Sequence, residues 1–209
     1  MKQDLGKIRA FFHDQFAAHG ESAEGVGWNS TYAQDVRFEQ LMKVVNPNEP
    51  WTLLEFGCGY GYLVDYLDAN NFHPQRYVGV DIVPESLDAA KKRFAGRNNL
   101  DWRSDANDAL KMDYLVASGV FNVKLDESYE NWTEYVLDHL DHFYRWTTKG
   151  FAVNFLTKYS DEDRMAARPD LYYADPCFLF DYCKRHLSRN VALYHDYEIY
   201  DFTLIVRKS

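Results

Sequence analysis

A chain of 209 residues suits one domain built round one large core, and 46% hydrophobic residues are too many for a disordered polymer. A net charge of −9 argues against a nucleic-acid surface, because binding a phosphate backbone takes a clustered basic footprint; a tRNA-modifying role is the one nucleic-acid alternative left open. No apolar run approaches the length of a membrane span, so no membrane partner is expected.

The first residues lack an apolar leader-like run. Cys58, Cys177 and Cys183 are odd in number and lack metal-ligand spacing. The expectation is a reduced, cytoplasmic protein with no metal site. Sixteen Tyr, fourteen Phe and five Trp are a surplus of aromatics. Tyrosine brings apolar area with a polar tip, so some of these rings can line a pocket while others fill the core.

Leu5, Ile8, Phe11, Phe12 and Phe16 recur at helical spacing and predict an amphipathic helix over 4–19, stopped by Gly20. Residues 25–30 read as a flexible linker, and a second helix covers 31–45 before Pro47 and Pro50. Trp28, Asn29, Ser30, Gln34 and Arg37 are this segment's candidates for reaching a ligand.

The run W-T-L-L-E-F from Trp51 is apolar enough for one buried strand, and it ends in Gly57, Gly59 and Gly61. An amphipathic helix starts near Tyr62. Strand, glycine turn and helix make a corner where backbone can approach a ligand closely. A dinucleotide site wants G-x-G-x-x-G, but Tyr62 stands where its third glycine belongs. Glu55, two residues before the first glycine, would repel a pyrophosphate and attract a cation.

A second strand covers 77–81 and ends in Asp81, where a carboxylate can accept from ribose hydroxyls or cap the helix that Pro84 opens. A helix over 84–95 has a basic end, and 100–103 is a short strand followed by Ser104-Asp105-Ala106. The fourth strand begins at Met112, within 112–123. Ligands bind outside the carboxyl ends of strands beside the switch point, which directs Ser118, Gly119, Asn122 and Lys124 at the reaction centre.

Residues 132–146 repeat apolar side chains at threes and fours, and His139 and His142 on that helix read as structural or exposed. A fifth strand over 151–156 carries Asn154. The long, tyrosine-dense loop after it resembles a lid or binding loop in length, with Tyr159, Arg168, Tyr172 and Tyr173 as its substrate-facing members. A last helix at 176–187 precedes strands at 191–195 and 202–206. With no helix between them, these two must be antiparallel.

The pattern E-F-G-C-G-Y-G, with Asp81 beyond it and S-D-A at 104–106, resembles the motifs of class I S-adenosylmethionine (SAM) dependent methyltransferases. From about 114 onward the text resembles uncharacterised bacterial small-molecule methyltransferases, some found near surface-polysaccharide genes. The resemblance implies a Rossmann-like α/β fold with a seven-stranded sheet, mostly parallel with an antiparallel C-terminal hairpin strand, and helices on both faces. Residues 1–48 would be an N-terminal helical cap and 51–209 the SAM-binding core. Glu55, Gly57, Cys58, Gly59 and Gly61 would then face the amino-acid part of SAM. Asp81 would hold the ribose. Ile82, Ser104, Asp105 and Ala106 would line the adenine site. Ser118, with Trp28 and Arg37 of the cap, would complete the cofactor set, Arg37 pairing with the SAM carboxylate.

The implied reaction moves a methyl group from SAM to a polar small molecule, leaving S-adenosyl-L-homocysteine (SAH). An aromatic and amide-rich wall of Asn122, Lys124, Asn154, Tyr159, Arg168, Tyr172 and Tyr173 suits a sugar-like or phosphorylated acceptor, methylated on a hydroxyl. His195, at a strand end with Asp196 beside it, is the candidate general base; the alternative is a histidine that closes a hairpin. The protein would be a monomer or homodimer. Two other readings stand beside this one, a catalytically silent SAM-binding subunit and an NAD-linked oxidoreductase.

Overall fold

A computed structural model describes residues 5–208, so the predicted helix start at Asp4 lies outside the described residues. In chain order the elements are α1 (Gly6–His19), a 3-10 turn (Glu24–Val26), α2 (Thr31–Met42), β1 (Thr52–Phe56), α3 (Tyr62–Ala69), β2 (Arg76–Val80), α4 (Pro84–Arg93) and β3 (Leu100–Arg103). Then come β4 (Met112–Ala117), α5 (Tyr129–Trp146), β5 (Thr147–Thr157), α6 (Glu162–Ala167), β6 (Tyr173–Ala174), α7 (Pro176–Tyr182), a π turn (Cys183–Leu187), β7 (Asn190–Tyr194) and β8 (Asp201–Arg207).

One sheet runs β3-β2-β1-β4-β5-β8-β7. The first five are parallel to one another, and β8 is antiparallel to both β5 and β7. This is the Rossmann-like arrangement expected, with one strand more than seven. The extra strand is β6, paired with β5 at Leu156 and Thr157. Its cause is the length of β5, eleven residues where six were expected. β4 pairs no further than Val153, so the edge of β5 beyond it has open backbone groups, and β6 satisfies them. The loop after β5 is accordingly structured, holding α6 and β6.

Alternation along the central strands splits the core into two layers. Leu54, Leu115, Phe151 and Val153 face α5, which contributes Trp132, Leu140 and Phe143. Leu53, Tyr77, Val116 and Ala152 face the other way, onto Phe38 and Leu41 of α2 and Leu63 and Leu67 of α3. Ser128 starts α5 three residues upstream of its apolar stripe, accepting from the Asn131 N–H at 3.1 Å. α2 ends at Met42 rather than 45, with Val44 and Val45 buried just past it. β4 stops at Ala117, and the chain to 123 is loop.

Residues of the segment before β1, in α1 and in the first half of α2, stand beside the carboxyl ends of the strands, while Phe38 and Leu41 pack on a sheet face. Ser30 caps α2 by accepting from the Ala33 N–H at 3.2 Å. One turn on, the Arg37 guanidinium grips Asp201 of β8 with two bonds, Nε to Oδ2 at 2.8 Å and Nη2 to Oδ1 at 2.7 Å. Both side chains are almost wholly buried, and the guanidinium stacks on the Trp28 ring at 4.0 Å. Trp28 in turn packs on Gly119, where a Cβ would stand 2.1 Å from the indole. Exposed pairs such as Lys7–Asp126 and His13–Glu85 also tie α1 down, but such pairs contribute only about 0–1 kcal/mol each. Of these ion pairs the buried one holds the segment most firmly, beside the apolar packing of Phe38, Leu41 and Met42.

Removing one partner of a buried bidentate pair leaves the other charge desolvated and uncompensated. Asp201→Ala should lower unfolding free energy by about 3–5 kcal/mol in urea titrations, and the joint replacement Arg37→Met with Asp201→Leu should recover most of that loss.

Candidate active site

A cavity of about 840 Å³ opens at the carboxyl ends of β1 to β5 and is roofed by α1, the 3-10 turn and α2. Its floor is the glycine corner. Gly57 has φ +80, and the Gly57 and Cys58 N–H groups both donate to the Val80 carbonyl, at 2.7 and 3.0 Å. The Gly59 N–H donates to Asp81 Oδ2 at 2.7 Å, and the Val83 N–H to Oδ1 at 2.8 Å. The Asp81 carboxylate thus ties the turn after β1 to the end of β2, and each oxygen retains a lone pair for a ligand hydroxyl. Burial pushes its pKa up while the backbone donors oppose that rise.

Gly61 has a different job. It does not line the cavity, and a Cβ there would stand 2.5 Å from the Trp102 ring and 2.9 Å from Phe94. Its φ of +84 starts α3 and lets the two stacked aromatics close beneath the turn. The expected cofactor contact at Gly61 is replaced by packing.

Glu55 is buried in the middle of β1 and lines the cavity. Its Oε2 accepts from the Tyr77 hydroxyl. Burial raises its pKa to about 8, the Tyr77 bond working against that rise, so near neutral pH the group carries a proton. Cys58 beside it is buried, and desolvation with the neighbouring Asp81 charge keeps it a thiol, unsuited to act as a nucleophile.

The other cofactor candidates also lie on this wall. Ile82, Ser104, Asp105 and Ala106 line it from the ends of β2 and β3, and Ser118 from the end of β4. Trp28 and Arg37 line it from the cap, but Arg37 spends its fork on Asp201 and donates through Nη1 to the Ala33 carbonyl at 2.7 Å. Gln34 and Ser118 line the cavity, and each holds a buried side-chain oxygen, Oε1 and Oγ, without a hydrogen-bond partner among the described residues. A buried polar atom left so is costly unless a ligand or water completes it.

The expected acceptor wall comes together only in part. Asn122, Arg168 and Tyr173 line the cavity; Lys124, Asn154, Tyr159 and Tyr172 do not. Lys124 Nζ turns to the Leu125 and Glu127 carbonyls at 3.3 and 3.0 Å. Asn154 is fully buried in β5, where Oδ1 accepts from the Gly119 N–H at 2.7 Å. Tyr172 is buried with its hydroxyl on Thr133 Oγ1, and Tyr159 is 60% exposed. His195 is exposed beyond the end of β7, between the rings of Tyr159 and Phe202, and does not reach the cavity. β7 is the outermost strand, two strands from β5, which explains the distance.

Among the cavity residues that were not expected to face a ligand are one histidine and one arginine. His139 of α5 lines the wall, with Nδ1–H donating to the Tyr135 carbonyl at 2.9 Å, which leaves the Nε2 lone pair free. Burial lowers its pKa, so the ring is neutral. Arg164 of α6 lines the mouth. Neither was legible, since His139 sits in an ordinary amphipathic repeat and Arg164 in a segment without periodicity.

A profile of the methyltransferase domain family matches residues 54–150. A Mycobacterium tuberculosis protein named as a methyltransferase is 48% identical over 168 residues, 80% of this chain and 99% of its own length. Among solved structures, the magnesium protoporphyrin IX methyltransferase of Synechocystis PCC 6803 with bound SAH superposes at a TM-score of 0.66 with 15% identity, covering 99% of this chain and 100% of its own. The N-methyltransferase NodS of Bradyrhizobium japonicum WM9, also with SAH, gives 0.63 at 13% identity and 98% of each chain. At such identities the likeness concerns the fold. The glycine corner, the acids around it and the close relative agree: this chain belongs to the class I SAM-dependent methyltransferases, and its cofactor is S-adenosyl-L-methionine.

Proposed function

We propose that the protein transfers the SAM methyl group to a hydroxyl of a polar small molecule, sugar-like or phosphorylated. The observation that supports this reading is the polar lining of the cavity, which carries Gln34, Ser118, Asn122 and Tyr173, the first two with a side-chain oxygen that has no partner among the described residues. Buried polar atoms of that kind call for a ligand with polar groups of its own. The three cysteines are free thiols, in keeping with a reducing cytoplasmic setting.

The chain fits the donor. Glu55 and Asp81 would meet its positive and hydroxyl-bearing parts, and Ile82, Asp105 and Ala106 its base. Bound there, SAM supplies a methyl group already activated by a positive sulfur. The protein's main contribution is then placement of the acceptor oxygen, a term worth up to about 7–11 kcal/mol. A hydroxyl acceptor must also shed its proton. His139, neutral and held by the Tyr135 carbonyl, offers Nε2 on the cavity wall; it takes the role expected of His195.

Radiolabelled methyl transfer from SAM into a panel of hydroxylated small molecules tests the reading directly, and consumption of SAM with none of them would leave the silent-subunit alternative standing. His139→Gln should slow turnover by on the order of 10²–10⁴, whereas His195→Ala should leave it intact. Because burial lowers the His139 pKa from its usual 6.5, the wild-type rate at saturating SAM should be flat above that pH and fall only on its acid side.

Glu55 generates a second pH dependence. Below its pKa of about 8 it is neutral, and ionisation is favoured by a cationic donor. Calorimetric SAM affinity should therefore rise from pH 6.5 to 8.5, more than SAH affinity does. In Glu55→Gln that difference should vanish.

A further inference from the structure

Electrically the cavity has two ends. Glu55, Asp81 and Asp105 line it from the β1, β2 and β3 half of the sheet, the half that suits a positive donor. Arg37, Arg164 and Arg168 line the opposite half, toward β5 and β8. Two of these arginines are neutralised within the protein. Arg37 is bound twice by Asp201, and Arg168 twice by Asp170, at 2.9 and 2.7 Å.

Arg164 differs. Among the described residues no carboxylate lies within ion-pair distance of its guanidinium, although Glu162 and Asp163 adjoin it in sequence. The guanidinium instead lies over the Tyr200 ring at 4.6 Å, and the Tyr200 hydroxyl is anchored on Asp161, the residue that precedes α6. That stack fixes the side chain's direction without using its N–H donors. Tyr173, which also lines the mouth, bonds the Arg164 carbonyl at 3.5 Å, and both Arg164 and Arg168 pull its phenol pKa down against the rise caused by burial. The mouth therefore presents an oriented guanidinium with no ion-pair partner among the described residues, its charge felt by the buried Asp201 behind it, and a phenol beside it, in a protein of net charge −9. A fork of that kind matches a carboxylate or a phosphate.

We propose that the methyl acceptor is an anion, a carboxylate or a phosphate bearer, and that Arg164 is the counter-ion that holds its charged group at the cavity mouth. This rests on the reading of the cavity as donor and acceptor site together. Acceptor and donor would then carry opposite charges and enter from opposite ends, the anion on α6 and the sulfonium against the acids of the sheet. Such an arrangement brings the two reactants together electrostatically before either is desolvated.

The test uses the full chain saturated with SAH and titrated at low ionic strength with inorganic phosphate, sodium acetate and, as neutral control, glycerol, with calorimetry as the readout. Phosphate or acetate should bind, the stronger of the two naming the anion, and glycerol should not. Arg164→Gln should weaken that anion at least tenfold with SAH affinity unchanged, and Arg164→Lys should restore part of it. Failure of wild type to bind either anion, or equal binding by Arg164→Gln, overturns the proposal. If Arg164→Gln also loses SAH, the Arg164→Lys variant decides, overturning the proposal unless it binds SAH normally and the anion more weakly than wild type. Loss of SAH binding by the wild type would instead strike the donor reading, so the two failures are distinguishable.

Discussion

The buried pair between Arg37 and Asp201 holds the working shape of this protein together. It joins a helix that precedes the sheet to a strand near the end of the chain, across 164 residues. A charge pair so enclosed is tolerable only because the geometry is bidentate and the remaining guanidinium surface is covered, here by Trp28. Through that contact Trp28 lands on Gly119 and Gln34 faces inward, giving the cavity its roof. An arginine with the right position to bind a ligand acid is thereby used for architecture.

The floor shows a related economy. Asp81 is a ligand candidate and a fastener at once, since its two oxygens hold the N–H groups of Gly59 and Val83 while each keeps a free lone pair. Asn154 does similar work from beneath, fixing Gly119 and hence the loop after β4. Residues of this second kind never touch the cavity, yet they set where the atoms that do touch it stand. A site that must place two reactants collinearly depends on such supports, because small misplacements are expensive in rate.

Charge distribution completes the picture. The acids cluster on the half of the cavity built by the first three strands, and the arginines on the half built by the cap and by the segment between β5 and β6. That segment exists as ordered structure because β5 outruns β4 and offers β6 an edge to pair with. A sheet irregularity thus positions α6, and with it Arg164, at the mouth.

Local spacing alone determined the strand, glycine turn and helix at 51–62, the acid at the end of the second strand, and the reversed hairpin at the end of the sheet. These are short-range patterns, and each is dictated by periodicity, turn chemistry or chain connectivity within a few residues. Tertiary structure decided which side chains line the cavity. Gly61 went to packing because Phe94 and Trp102, from α4's end and β3, close beneath it. Tyr172 and Asn154 were drawn inward by partners elsewhere in the chain, and His195 was carried away by the outermost strand. His139 and Arg164 arrived instead, since the face a residue presents depends on long-range strand order and helix docking, and neither leaves a mark in nearby sequence.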